Sequence, residues 1–450
     1  MKLTVDFASV SRGFGYISTA SGIAIAISCN YVLLIILGMD TQNSLRLEGQ
    51  FIAIFEIALA AILMLTIMGP ILELASLYPG SPSLRTYTKK HLGSQLSLLL
   101  TVGYLVVLIT IAGIESFLLY AILTSFFSEA LSWGVVFSVL GFVILINYRG
   151  LRVSENLQRI STTLLWFGSL LLCWFAYNQS EVEPFVHSIN TFNEIKNIVP
   201  SAIVFGVFLF IGVELAASSV RKPEDFFSLL PKSMYIAILS IALLYMSMAF
   251  VFLELKPHSV PAENPLLYFA ELLFSHEGRL VALFLTIQAL VTSFNSGLSG
   301  ASRMIYMLAR EGVLTNRLLK LGRDGITPVN AVLLMSLLSV LLSFVTIGFG
   351  LSTEFSQLSA SLICLIYSGL LIASCLTASR QQQVGHFYKS QVPRGMRLGL
   401  AILFAILSCI NLSELLSSLG GAVICLIVCV TLFLIWFQSK PNTHVIKQAR

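Results

Sequence analysis

Four glutamates lie inside long apolar stretches of this 450-residue sequence. Glu56 and Glu73 fall towards the two ends of one stretch, whereas Glu115 and Glu214 each lie deep in a separate stretch. A charged side chain at the centre of a membrane helix costs roughly 2.5–3.5 kcal/mol on insertion, so each carboxyl group needs a reason to be there. We interpret Glu73 as a structural residue at a membrane interface and Glu56 as a partly solvated one. Glu115 and Glu214 either line the path of a solute or hold helices together through hydrogen bonds.

Other reactive side chains are absent from the apolar stretches or have the wrong spacing. All six histidines fall in polar segments, and no His-Glu-x-x-His motif or phosphate-binding loop is present. The seven cysteines lie within apolar segments without metal-ligand spacing, which argues against disulfides and zinc. The sequence therefore predicts no enzyme and no cofactor. If a proton is coupled to its activity, a carboxyl group must carry it; the choice between H⁺ and Na⁺ stays open.

The composition places these residues in a lipid bilayer. Hydrophobic residues make up 56% of the chain and charged residues only 11%, whereas a soluble domain carries about a quarter charged residues. The net charge of +5 is spread over the polar segments and forms no nucleic-acid-binding stripe. We therefore expect a multi-pass membrane protein with a small-molecule substrate and no nucleic-acid partner; its oligomeric state is not predicted.

About twenty apolar residues cross a bilayer as a helix, and this length divides the chain into about twelve spans. The fourth is predicted to be short, and the third and eighth are long enough to tilt. The predicted spans are 14–38, 51–77, 96–127, 133–148, 158–177, 198–220, 233–255, 280–309, 328–350, 355–379, 397–414 and 418–438.

Basic residues give an independent test of this division. With the amino terminus in the cytoplasm, the inner segments hold all but four of the 27 lysines and arginines, as the positive-inside rule requires. Both termini are then predicted to lie in the cytoplasm, and the protein itself is predicted to lie in the inner (cytoplasmic) membrane of a cell. One outer segment, residues 261–265 followed by Leu266 to Phe274, reads as a turn leading into a short surface helix.

Spans one and six carry patterns that favour an interrupted helix. Span one has small and polar residues between Ser21 and Tyr31, and span six has Gly206 and Gly212 beside Glu214. An unwound membrane helix frees backbone groups that lipid cannot satisfy and that a bound solute or ion can; the alternative is a small-residue packing face. Spans one and six also begin two sets of five spans, the arrangement that permits inverted repeats with a site at the midplane.

Several motifs between residues 70 and 330 resemble the amino acid–polyamine–organocation superfamily. They occur in the order and on the sides expected for that superfamily, at the end of span two, after span four, in span six and its following loop, and in span eight. The motifs are LELASLYPG (72–80), YTKKHLG (87–93), NYRGL (147–151), FIGVE (210–214), RKP (221–223), LPK (230–232), NSGLSGASR (295–303), AREG (309–312) and TP (327–328).

This resemblance implies an all-α fold of the leucine-transporter type in a single transmembrane domain, residues 1–450. Repeat one covers about 12–180, repeat two about 196–380, and two extra helices about 396–438. It also implies that the broken parts of spans one and six bind the substrate. Carried across, these positions are Ser28, Cys29, Asn30, Phe210, Gly212 and Glu214, with Asn295 and Ser296 from span eight. Glu115 joins these candidate site residues because of its depth in span three and not through the resemblance.

Span one departs from the superfamily's Gly-x-Gly-Ile-Phe pattern. It is closer to the Ser-Gly-acid-aromatic version of ethanolamine-permease-like members, but with Cys29 in place of the glycine and Asn30 in place of the acid. The resemblance implies secondary active transport of amino acids or related small amines by alternating access, coupled to an ion or a proton. An amino acid or polyamine exchanger or exporter on the same fold is the alternative, followed by a sensor that binds without transport.

Overall fold

The structure, a computed structural model, is built of helices joined by turns. It describes residues 7–27, 48–78, 84–179, 204, 206–220, 222–254, 265–378 and 388–438. Within these ranges there is no β-strand, and the all-α prediction is confirmed.

The helices follow the apolar stretches of the sequence closely. One short helix, α7, is preceded by a 3₁₀ turn at Val213–Leu215. The helices are α1 (Phe7–Ile27), α2 (Glu48–Leu77), α3 (Leu84–Leu92), α4 (Ser94–Leu123), α5 (Glu129–Arg149), α6 (Leu151–Gln179), α7 (Ala216–Ser219), α8 (Leu229–Glu254), α9 (Pro265–Phe274), α10 (Gly278–Arg310), α11 (Val329–Phe349), α12 (Ser352–Ala378), α13 (Arg394–Ser417) and α14 (Leu419–Gln438).

Nine helical segments in the described part of the chain are long and apolar enough to cross a membrane. The segment predicted as a short fourth span, 133–148, is longer than expected, because α5 already begins at Glu129, directly after Ser128 in the N-cap position. The predicted surface helix is α9. The predicted span one, 14–38, extends past Ile27 into residues outside the described ranges, so the total of twelve spans stays a prediction.

Large apolar side chains cover the outside of the bundle. Leu243 is 65% exposed and Phe349 is 74% exposed, and many other leucine, isoleucine and phenylalanine side chains are similarly uncovered. A helix that is apolar on all sides is stable in contact with lipid, where water would penalise it. This surface therefore fits a protein surrounded by hydrocarbon.

Helix α4 lies at the centre of the bundle and is buried along most of its length. The Ser116 hydroxyl donates to Ser343 Oγ of α11 at 3.0 Å, and the hydroxyls of Thr110 and Ser359 of α12 are hydrogen-bonded. On a third side, Leu108 lies against Gly297 of α10. Small and hydroxyl-bearing residues let membrane helices approach closely and bond across the contact, and here they fix α4 between three neighbours.

One end of the bundle, which we call the basic face, carries Arg12, Arg85, Lys89, Arg303 and Arg310. Arg85 Nε lies 2.8 Å and Lys89 Nζ 2.7 Å from Glu311 Oε2, just past the end of α10. Partial burial raises the pKa of Glu311, but hydrogen bonds and charge from Lys89 and Arg85 outweigh that and hold its pKa below the usual value. This group ties α3 to the end of α10.

The other end of the bundle, which we call the opposite face, carries the end of α4 and the start of α10. The Arg279 guanidinium lies 5.9 Å from the ring centroid of Phe126 there. Because Leu108 meets Gly297 further along the same two helices, α4 and α10 run antiparallel. Glu115 therefore lies on the part of α4 between Leu108 and the opposite face.

Candidate functional site

The chain leaves regular helix between Leu209 and Gly212. Phe210 N–H donates to Val207 O and Ile211 N–H to Phe208 O, both at 3.1 Å, so three-residue steps replace the four-residue steps of an α-helix. Helix resumes with the 3₁₀ turn that contains Glu214 and with α7. The interruption predicted in span six is therefore present in the structure, at the residues of the FIGVE motif.

Gly212 makes this turn sterically feasible in two ways. Its φ of 93° and ψ of −8° lie in the left-handed region, which L-residues with a side chain adopt at a cost of about 1–2 kcal/mol. A Cβ atom at this position would also lie 2.9 Å from Cβ of Ile23 in α1. The glycine therefore allows the broken segment to pack directly on α1.

The Glu214 carboxylate is held by two tyrosines from other helices. Tyr104 of α4 donates to Oε1, and Tyr367 of α12 donates to Oε2 at 2.9 Å. Both tyrosines are fully buried, whereas Glu214 keeps part of its surface accessible. The backbone N–H groups of Gly212 and Glu214 also bond to this carboxylate, and the accessible part of its surface is open to a cationic solute.

A third tyrosine joins α1 to the broken segment. The Tyr245 hydroxyl of α8 donates to Leu209 O at 2.7 Å and also contacts Ala24 O. Its ring packs edge-on against Phe210, with centroids 5.5 Å apart. These carbonyls lie beside the turn and near the described end of α1 at Ile27. The predicted site residues Ser28, Cys29 and Asn30 lie outside the described residues.

Asn295 is engaged in a buried polar network between α5, α6 and α10. Its Nδ2 donates to Ser154 O at 3.1 Å and to Gln158 Oε1 at 2.8 Å. Its Oδ1 accepts from Asn147 Nδ2 at 2.8 Å and from Ser154 Oγ at 2.9 Å. All the hydrogen-bonding capacity of the amide is thus used in joining helices, which differs from the free, solute-facing side chain that the resemblance implies.

Ser296 lines a small polar cavity on the side of the site that faces the basic face. Its hydroxyl donates to Thr19 O of α1 at 3.4 Å, and both residues line a small cavity of about 10 Å³. Thr19 also lines a larger cavity of about 140 Å³, together with Arg12 and Tyr16. The two cavities share Thr19, Glu155 and Ser219, so they are neighbours between α1, α6 and the broken segment.

The remaining predicted carboxyl groups differ sharply in their surroundings. Glu73 Oε2 lies 2.8 Å from Arg397 Nη2 of α13 and accepts from Ser390 N at 3.1 Å, which agrees with its predicted structural role. Glu56 is 4% exposed and Glu115 is fully buried, and neither has a hydrogen-bond partner among the described residues. The expectation of a partly solvated Glu56 is therefore not met.

Sequence reasoning missed the three tyrosines that organise this site. Tyr104, Tyr245 and Tyr367 each sit inside an apolar span, where they count as hydrophobic residues. A buried phenol nonetheless needs an acceptor, as a buried carboxylate needs donors. The sequence signal for them is the presence of both tyrosines and glutamates in the middle of apolar spans, because each can satisfy the hydrogen bonding of the other.

Comparisons with known proteins agree with this geometry. A sequence profile described as amino acid permease matches residues 17–447. The uncharacterized amino acid permease YecA of Bacillus subtilis is 26% identical over 232 residues, covering 47% of this chain and 50% of YecA. The permease AapA of the same organism is 28% identical, covering 46% of each chain. The D-serine/D-alanine/glycine transporter of Escherichia coli K12 is 28% identical over 27% of this chain and 26% of its own.

Two solved transporter structures share the fold at low sequence identity. A Na⁺-coupled sialic acid symporter superposes with a TM-score of 0.55 at 13% identity, covering 88% of each chain. The manganese transporter of Eremococcus coleocola gives 0.58 at 12% identity, covering 97% of this chain and 96% of its own. The fold is therefore of the leucine-transporter type, as expected.

The chain spans about half the length of the two Bacillus relatives and about a quarter of the third. The profile, in contrast, covers nearly all of it, and its match confirms the resemblance drawn from the motifs. With its helical fold and its interrupted sixth span, this chain belongs to the amino acid permease family.

Proposed function

We propose that this protein carries amino acids or related small amines across the cytoplasmic membrane by alternating access, as a secondary active transporter. The observation that carries this proposal is the Glu214 carboxylate beside the left-handed turn at Gly212. An acidic side chain and unwound backbone at membrane depth are features of solute sites in transporters. Membership of the amino acid permease family supports the substrate class.

The chemistry of the site favours a solute with an amine. Glu214 supplies negative charge, and the carbonyls of Ala24 and Leu209 add acceptors close to Phe210. An ammonium group has three donors and no acceptor, so it fits a group of acceptors of this kind. Ser28, Cys29 and Asn30 would complete the site from span one. The similarity to the D-serine/D-alanine/glycine transporter of E. coli supports a small amino acid as the first solute to test.

The proposed orientation places the basic face in the cytoplasm. The positive-inside rule supports this side for Arg12, Arg85 and Arg303, and both termini are then cytoplasmic. The cavity that Arg12 and Tyr16 line would belong to an inward-facing route. Twelve spans, arranged as two inverted repeats of five and two further helices, complete the proposed architecture.

Reconstitution tests the proposal. Purified protein in proteoliposomes should take up labelled glycine, alanine, serine or ethanolamine, and the same solute should raise the thermal stability of detergent-solubilised protein by mass action. Glu214→Gln removes the charge but keeps the size of the side chain. We expect it to lower uptake at least about tenfold, since a hydrogen bond to a charged group contributes about 1.5–3 kcal/mol.

Glu129→Gln is the matched control, because Glu129 lies exposed in the first turn of α5, away from the site. It should transport at the wild-type rate. Near-normal uptake by Glu214→Gln, in protein that inserts and purifies like the wild type, would exclude Glu214 from the mechanism.

Two further measurements separate the alternatives. Uptake driven by an imposed proton or sodium gradient indicates symport, whereas uptake that needs solute preloaded inside the vesicles indicates exchange. A ligand that stabilises the protein without any flux in either assay would identify a sensor and overturn transport as the function.

A further inference from the structure

Glu115 carries a fully buried carboxyl group that lies apart from the charged groups in the described part of the chain. Its side chain has no exposure, and neither carboxylate oxygen has a hydrogen-bond partner among the described residues. Burying an unpaired ionised carboxylate is far more costly than burying a neutral polar group. The surroundings therefore suit the protonated carboxyl group.

The position of Glu115 on α4 relates it to the candidate site. Tyr104, Leu108 and Glu115 are four and seven residues apart, so they lie along one stripe of the helix. Tyr104 bonds Glu214 and Leu108 packs on Gly297, which shows that this stripe faces the interior of the bundle. Glu115 lies about 16 Å along the helix from Tyr104, towards the opposite face. It is therefore outside the Glu214 group and does not contact it.

A second unpartnered polar group lies on the facing helix. Thr286 of α10 is fully buried, and its hydroxyl has no hydrogen-bond partner among the described residues. Eleven residues separate it from Gly297, which puts both on one side of α10, and α10 runs antiparallel to α4. Glu115 and Thr286 thus both lie in the contact between α4 and α10 on the way from Glu214 to the opposite face.

No described charged group pairs with Glu115. On α10, Arg279 bonds Glu271 near the opposite face and Arg303 lies 3.7 Å from Glu155 near the basic face, while on α12 Glu354 lies beside Gly420 of α14. Described α11 carries no titratable residue. The other charged or titratable residues of the described elements packed on α4 are Arg85, Tyr87, Lys89, Lys90 and His91 of α3, Glu129, Tyr148 and Arg149 of α5, Tyr306 and Arg310 of α10, Cys364, Tyr367 and Cys375 of α12, and Cys425 and Cys429 of α14.

We propose that Glu115 is a proton-binding site, and that its protonation accompanies closure of the passage towards the opposite face that alternating access requires. With the passage open, the carboxylate accepts a proton from water on that side, forming an O–H bond and losing its charge. The neutral carboxyl group can then be buried between α4 and α10; reopening returns the proton to water. This inference rests on the proposed transport function.

Sided pH titration of transport tests the proposal. With protein of uniform orientation in vesicles, raising the pH on the opposite-face side should slow wild-type solute entry from that side, by up to about tenfold per pH unit once the carboxyl group is mostly ionised. Glu115→Gln, which cannot ionise, should vary less than about twofold over the same range. An unchanged wild-type pH profile in Glu115→Gln would overturn the proposal.

Glu56→Gln is the matched control, because Glu56 of α2 is also a buried carboxyl group without a hydrogen-bond partner among the described residues. It should keep the wild-type pH dependence. Loss of the pH dependence in Glu56→Gln, with retention in Glu115→Gln, would also overturn the assignment.

Infrared spectroscopy of purified protein gives a readout that does not need transport. The wild type at neutral pH should show a carbonyl band of protonated carboxyl groups, and the part of that band that comes from Glu115 should be missing in Glu115→Gln and kept in Glu56→Gln. An identical band in the wild type and in Glu115→Gln would refute the proton site even if transport is normal. A Glu115 contribution in a protein without flux would support the site and refute only the transport function.

Discussion

The Tyr367 hydroxyl donates to Glu214 Oε2 at 2.9 Å across 153 residues of sequence. This bond joins α12 to the interrupted sixth span, and Tyr104 makes the corresponding bond from α4. The two phenols hold the carboxylate between α4, which belongs to the proposed repeat one, and α12, which belongs to the proposed repeat two. The orientation of Glu214 therefore depends on α4 and α12 as much as on its own segment.

Removing the Tyr367 hydroxyl should weaken transport without unfolding the protein. Tyr367→Phe keeps the buried ring and leaves one oxygen of Glu214 without its donor, at a cost of about 1–3 kcal/mol. We expect transport to fall about tenfold in the uptake assay. Tyr306→Phe makes the same change on α10, where the described structure gives the phenol no contact with Glu214, and should have no effect. Equal activity of both variants would contradict the role assigned to Tyr367.

A methyl group at position 212 should be poorly tolerated. Gly212→Ala combines the left-handed backbone conformation with a 2.9 Å approach to Ile23, and the backbone conformation alone costs about 1–2 kcal/mol. We expect a lower apparent melting temperature in detergent and loss of most uptake. Gly348→Ala is the matched control, because a Cβ at Gly348 meets no atom within 4 Å; a similar loss there would show that the effect is not specific to the turn.

The buried ion pair between Glu73 and Arg397 should stabilise the fold rather than take part in transport. Both residues are at most 3% exposed and their charged atoms are 2.8 Å apart. Glu73→Gln should destabilise the protein by about 3 kcal/mol, because it leaves a buried guanidinium without its counter-charge. Transport per folded molecule should stay close to the wild-type value.

A double-mutant cycle checks this pair. Glu73→Gln combined with Arg397→Met should cost less than the sum of the single substitutions, since no buried charge is left unpaired. Strict additivity of the three melting-temperature changes would contradict the pairing.

The group around Glu311 predicts a pH-dependent stability. Its folded-state pKa is held below the usual value because Lys89 and Arg85 outweigh the effect of burial. The stabilisation is therefore fully present above the unfolded pKa of about 4.3 and is lost as the pH falls through the lower folded value. Glu311→Gln should lower the melting temperature at pH 7, and its difference from the wild type should shrink as the pH falls below about 4. A constant difference would contradict this account.

The helix boundaries were predictable because hydrocarbon imposes a length on each apolar stretch. The segment predicted at 280–309 is α10 (Gly278–Arg310), and the segment at 96–127 is α4 (Ser94–Leu123). Gly212 near Glu214 also predicted the interruption correctly, since glycine adopts the backbone conformations with which a chain leaves a helix. These are local signals, and each is contained in a short piece of chain.

The partners of the polar groups were not predictable in the same way. Tyr104 lies 110 residues from Glu214, and nothing in a single sequence relates the two. Asn295 illustrates the same limit: an amide in a membrane helix has the same local pattern whether it binds a solute or joins neighbouring helices, as Asn295 does through Asn147 and Gln158. Only the packing of the helices distinguishes these cases.

The Tyr245 phenol has a consequence for how the two interrupted spans separate. One hydroxyl proton serves both the Ala24 and the Leu209 carbonyls, and a phenol has no second proton to offer. Any movement that draws α1 away from the sixth span must break the bond of this hydroxyl to one of the two carbonyls. An ammonium group brought in by the solute has three protons, so cargo of this kind would lower the barrier to the movement that carries it.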